Sequence, residues 1–185
     1  MFEAGLGIFF GVHLIPLIEK LKLFLKNKFG ENLYMGLFSL VSLAGLLLII
    51  FGYESNSNFL YSENESAYLY SKYIMFIAFT LLIAANLPTY IKKTTKHPMS
   101  LGIAAWAVLH LMVSPDTSSI ILFGSFLSYS IVSVLMSELR GSQVKEINPK
   151  ISLDILSVAL AIFINFLAYN FHEYLSGITD RKSVV

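Results

Sequence analysis

A chain of 185 residues with 56% hydrophobic and 14% charged side chains and a mean hydropathy of +0.69 falls well short of the roughly 25% charged residues usual in soluble domains. The composition excludes an ordinary soluble enzyme and predicts a membrane protein, while a net charge of +1 without a basic stripe gives no footing for nucleic acid. The absence of cysteine excludes disulfides, thiolate-ligated or covalently attached haem, and cysteine-held iron–sulfur clusters.

A spanning helix needs roughly 17 to 25 mainly apolar residues. On that measure the chain is predicted to be all-α, one domain over residues 1–185, a polytopic bundle of six transmembrane helices. The first, Phe2 to Ile18, carries Gly7 and Gly11 at small-xxx-small spacing, a helix-contact signal. It has neither a basic n-region nor a small-residue cleavage site, so it is expected to stay in the mature protein. The second runs from Leu33 to Tyr53 with Ser39, Ser42 and Gly45, and the third from Tyr70 to Tyr90 with Asn86 ahead of Leu87 and Pro88. Lys92, Lys93, Lys96 and His97 then form a basic cluster before the fourth, Pro98 to Val113. Pro98 suits the first turn of a helix, and the cluster reads as an anchor at anionic headgroups rather than an anion site. Pro115 and Asp116 leave almost no loop before the fifth span, Thr117 to Ser137, so these two helices form a tight hairpin with Asp116 as the cap. The sixth, Ser152 to Leu175, begins beside Asp154, which has the same capping reading. Asn86, Asn165 and Asn170 are expected to bond between helices, and Ser125, Ser128 and Ser133 to permit close helix approach.

Lysine and arginine set orientation. Lys20, Lys22, Lys26 and Lys28, then Lys92, Lys93 and Lys96, then Arg140, Lys145 and Lys150 follow the odd-numbered spans. Lys72, Arg181 and Lys182 lie on the other side, with Glu3, Glu54, Glu63, Glu65 and Asp116. Both termini are therefore expected outside the cytoplasm.

The histidines can be placed by depth, at about 1.5 Å per helical residue. His13 falls roughly 15 Å below the outer boundary, and His110, measured from Pro98, some 12 Å below it in a hydrocarbon slab of about 30 Å. The same ruler puts His97 at the inner surface and His172 near the outer one, so only His13 and His110 are expected to meet. Two imidazoles at one depth on different helices can clamp a b-type haem, each giving one nitrogen to the iron. Met99, Ile103, Trp106 and Ala107 share the face of His110, while Leu6, Phe9, Phe10 and Leu17 surround His13. The alternative is that each histidine bonds a serine or asparagine on a neighbouring helix. Zinc is disfavoured, since two histidines leave a tetrahedral site short of ligands.

The segments "KHPMSLGIAAWAVLHLMVSPD", "LFGSF", "FFGVHLIP" and "GLFSLVSLAGLLLIIFGY" resemble the NnrU family of bacterial membrane proteins over about Gly7 to Gly141. The resemblance implies an inner-membrane protein associated with denitrification, in nitrite and nitric oxide reduction. The family also contains the plant 15-cis-zeta-carotene isomerase, which looks like a haem b enzyme with histidine ligands in the first and fourth similar spans. Carried over, the ligands are His13 and His110, the pair that depth also selects. The plant enzyme has a cysteine directly after the tryptophan; here Ala107 stands in that place, and a ligand exchange through that thiol is absent.

Three further readings stand beside this one. A haem-dependent cis–trans isomerase would act on a hydrophobic polyene substrate reached from the bilayer. A non-catalytic assembly factor or sensor would serve a respiratory oxidoreductase. "HPMSLG" also resembles the His-Pro-x-Tyr-x-Gly segment of isoprenylcysteine-type membrane methyltransferases, but Ser100 replaces the tyrosine and Glu173 stands without an acidic partner. This last reading ranks lowest.

Overall fold

The computed structural model describes residues 1–54, 59–141 and 147–176, so Lys145, Arg181 and Lys182 of the orientation argument lie outside the described residues. Eight α-helices follow one another among them: α1 Phe2–Leu14, α2 Glu19–Phe29, α3 Glu31–Gly52, α4 Glu65–Ala84, α5 Tyr90–Thr95, α6 Pro98–Val113, α7 Thr117–Leu139 and α8 Ile151–Ser176. The described residues contain no strand; Phe59 and Asp116 make an isolated bridge. Four helices, α3, α4, α7 and α8 to His172, are long and apolar enough to cross a membrane. The first and fourth predicted spans are shorter apolar helices, Phe2–Leu17 and Pro98–Val113. At about 1.5 Å per residue neither reaches the roughly 30 Å of a hydrocarbon core without local thinning of the bilayer or snorkelling of flanking residues.

The chain falls into two compact units. One comprises Met1–Glu54 with Leu135–Arg140, and the other Ser55–Val134 with Gly141–Val185.

In the first unit α1 and α3 run antiparallel at close range, and glycine makes the approach possible. A Cβ on Gly45 would lie 2.8 Å from the Phe9 nitrogen, one on Gly5 2.7 Å from the Ile49 nitrogen, and one on Gly52 2.5 Å from the Phe2 nitrogen. Gly7 and Gly11, the pair expected to make this contact, face open space. The physical reason is phase: Gly7 lies about 200° around the helix from Gly5, and Gly5 and Phe9 face α3. Gly45→Ala is expected to destabilise the protein by roughly 1–3 kcal/mol through overpacking against backbone. Gly7→Ala is expected to be neutral or mildly stabilising through helix propensity. Thermal unfolding in detergent compares the two directly.

Pro16 ends α1 in a 3-10 turn, Ile15–Leu17, and Ile18 is extended before α2 begins. The Arg140 guanidinium donates to the carbonyls of Pro16 (3.3 Å) and Leu17 (3.1 Å), two acceptors that the chain break leaves without helical partners. Gly30, at φ +79°, separates α2 from α3 in a conformation that favours glycine.

In the second unit the third predicted span is shifted toward the N-terminus. The Asn64 side chain accepts from the Ala67 amide (2.9 Å) and starts α4, which ends at Ala84, ahead of Leu87 and Pro88. A residue before proline avoids the helical region, so the run to Tyr90 breaks and α5 is a separate turn-and-a-half. Asn86 bonds its own helix at the Leu82 carbonyl, and Asn170 does likewise at Phe166, contrary to expectation. Asn165 does cross, donating to the Lys72 carbonyl on α4 (3.0 Å).

Asp154 also departs from its sequence reading. It caps α5 rather than α8: one carboxylate oxygen accepts from Tyr90 N–H and the other from Ile91 N–H, both at 3.0 Å. The cap residue of α5, Thr89, satisfies only Lys92 N–H, so two orphan donors are open to a carboxylate from α8. Between α6 and α7 the hairpin is as tight as predicted, and buried Asp116 accepts from Ser119 N–H (3.1 Å). The segment before α4 closes over it: Leu60 N–H donates to the Pro115 carbonyl, Asn64 N–H to Met112, and the Tyr61 hydroxyl to Leu111. Burial, and then the Asp116 carboxylate, raise the Tyr61 phenol above its ordinary value, which keeps it a proton donor at neutral pH.

Candidate histidine sites

Each unit presents one helix-borne imidazole held in the same way. In the first, His13 on the last turn of α1 points Nδ1 at the Phe9 carbonyl, 2.7 Å away. A carbonyl only accepts, so this contact requires the proton on Nδ1 and leaves the ring's lone pair on Nε2. The ring stacks on Phe9 (4.2 Å, 30°) and meets Phe38 of α3 edge-on (5.2 Å, 61°). Also on α3, the Tyr34 hydroxyl and Ser42 Oγ are buried with no hydrogen-bond partner among the described residues. Such groups are uncommon and mark a site for strain, water or a ligand.

In the second unit His110, on the last turn of α6, points Nδ1 at the Trp106 carbonyl (2.8 Å). Its ring stacks on Phe123 of α7 (4.4 Å, 28°) and lies 5.3 Å from the Trp106 ring. Trp106 meets Phe123 and Phe126 edge-on at 5.0 and 5.1 Å, geometry favoured by aromatic quadrupoles. The remaining members of the predicted face divide: Ala107 is wholly covered by protein, Ile103 is half-buried, and Met99 is 45% exposed. His97 is the N-cap residue of α6 without a side-chain capping bond.

One placement differs from the depth estimate. His172, assigned to the outer surface apart from His110, has its ring centroid 6.5 Å from that of His110. The ruler treats α6 as crossing a full slab, whereas α6 ends three residues after His110 and reaches α8 where His172 lies. Sequence reasoning also missed Phe38, Phe123 and Phe126. The predicted hairpin carried a usable signal for the latter two, since it pairs the end of α6 with the first turns of α7.

Aromatic stacking takes the faces of these imidazoles, while ligation uses the in-plane lone pair at the ring edge, so the two roles are compatible. A ring locked through Nδ1–H to a carbonyl is also the usual arrangement of a metal-binding histidine. The described residues hold no group of three or more histidine, cysteine, aspartate or glutamate side chains able to bind a metal. A shallow groove of about 380 Å³ beside Met112 and Leu127 includes neither histidine.

Fold and sites together define a helical membrane protein with ring-locked histidines at the ends of its two short apolar helices. The chain matches the NnrU protein family over residues 1–180 and belongs to that family. No curated protein and no solved structure matches it.

Proposed function

We propose that this NnrU protein would hold haem b through His13 and His110, in a six-span arrangement of a bacterial inner membrane with both termini outside the cytoplasm. The observation that carries the reading is the shared lock on the two imidazoles, Nδ1 to the i−4 carbonyl at 2.7 and 2.8 Å, which keeps the lone pair of each ring on Nε2. The donor set fits an axial pair and falls short for a bare ion. The buried hydroxyls of Tyr34 and Ser42 fit a polar group arriving beside α3. Bound there, haem b supplies one-electron chemistry at iron. The chain's own part is to fix two imidazole orientations by hydrogen bond and stacking, and to surround them with Phe9, Phe38, Trp106 and Phe123 so that water is kept away.

A role in nitrogen-oxide respiration, serving or acting beside a respiratory oxidoreductase, is the leading biological reading through the family. Polyene isomerisation ranks second, because Ala107 offers no thiol for ligand exchange. Nitric oxide or carbon monoxide added to the reduced protein separates the roles: gas binding indicates a reactive iron, and no binding an electron carrier. The topology has its own test, since no native cysteine interferes. Cysteines introduced at Lys26 and Ser62 are expected to label from opposite sides of the membrane, and labelling from one side contradicts the six-span arrangement.

A further inference from the structure

The helix α2, "EKLKLFLKNKF", has no buried residue, although nearly half of its side chains are large and apolar. Phe24 is 59% exposed, Leu23 50%, Phe29 41% and Leu21 36%. Four lysines stand against the single acid Glu19. At about 100° per residue, Lys20, Phe24, Lys28 and Leu21 fall on one continuous arc. Lys22, Leu25 and Lys26, which are only partly exposed, fall on the opposite one. Lys26 is used internally, in an ion pair with Glu31 (2.6 Å) and over the Tyr34 ring. Lys28 instead folds back along the outer arc, its Nζ 5.9 Å from the Phe24 ring and 5.5 Å from Phe29.

Eleven residues span only about 16 Å, too little to cross a bilayer. Extended Ile18 and Gly30 at φ +79° break the path of α2 from the helices on either side. An exposed arc that alternates lysine with phenylalanine and leucine suits the boundary between headgroups and acyl chains: the rings enter it, and the lysine stems lie along them with their ammonium groups among phosphates.

From these features we propose that α2 lies in the plane of the membrane interface and is a binding site for anionic phospholipid headgroups. Positive charge without acidic neighbours on that arc selects anionic over zwitterionic lipid. The site is independent of the histidines.

Two measurements on the full-length protein test it. Spin labels on cysteines at Phe24 and at exposed Glu19, about 140° further round the helix, with the protein in phosphatidylglycerol–phosphatidylcholine bilayers, are expected to report opposite environments: Phe24 open to oxygen and shielded from a water-soluble nickel complex, and Glu19 the reverse. In detergent, phosphatidylglycerol is expected to raise the unfolding temperature more than phosphatidylcholine. The Lys20→Gln/Lys28→Gln variant should weaken apparent phosphatidylglycerol affinity by roughly ten-fold, and Lys72→Gln on α4 should leave it near wild type. The proposal is overturned by a Phe24 label open to nickel, by one shielded from both reagents, which indicates a protein partner, or by lipid selectivity that Lys20→Gln/Lys28→Gln leaves unchanged.

Discussion

If His13 and His110 hold haem b as proposed, purified His110→Ala is expected to lose the haem absorption, and His13→Ala to lose or shift it. Alanine removes the only nitrogen either helix offers at that point, and disturbing even the partner of a metal-bound histidine commonly costs 10–100-fold in affinity. The aromatic neighbours offer no replacement ligand. His110 is flanked by Trp106, Phe123 and a wholly covered Ala107, and His13 by Phe9 and Phe38. His172→Ala is the informative control, because its ring is only 6.5 Å from His110. It is expected to retain the haem. Loss in His172→Ala together with retention in His13→Ala would transfer the second ligand to His172 and leave His110 as the first.

Asp154→Ala is expected to be the most destabilising single change outside the histidine sites. Its carboxylate is 8% exposed and satisfies two amides at the start of α5. Removing an N-terminal cap costs about 0.5–2 kcal/mol, and each buried donor left without a partner about 1–3 kcal/mol. A loss of about 3 kcal/mol lowers the midpoint of thermal unfolding by several degrees. Asp154→Asn keeps one acceptor oxygen and should recover part of the loss. An Asp154→Ala protein that melts with the wild type would show that α5 is not held through this residue. The contact matters for the second site because α5 leads through His97 into α6, the helix that carries His110.

Elements whose signals are local were legible in the sequence. Pro98 and Asp116 mark the start of α6 and the cap of α7 as expected, since a fixed φ and a short carboxylate act within one turn. The apolar runs were legible as well, including the short α6 at Pro98–Val113, though not the end of α1, where hydropathy continues past Leu14 into a 3-10 turn. Phase was legible only where a partner was known. Gly7 and Gly11 have the right spacing for a contact, but the identity of the packed face depends on α3, and Gly5 meets it instead. Asp154 failed for the same reason: its partners lie more than sixty residues away, and nothing nearby in the chain reports two unsatisfied amides on α5. The candidate histidines stand out in the sequence as ionisable residues within apolar runs, whereas the stacking partners Phe38, Phe123 and Phe126 and the approach of His172 come from packing that spacing alone does not encode.

The most direct test of the haem assignment is an absorption spectrum of the detergent-purified protein, oxidised and then reduced with dithionite, after expression with added haem precursor. Haem b held through His13 and His110 would give a b-type spectrum with sharp reduced bands that is lost in His110→Ala. A protein that remains colourless under those conditions would contradict it and return His13 and His110 to a structural role within their aromatic clusters.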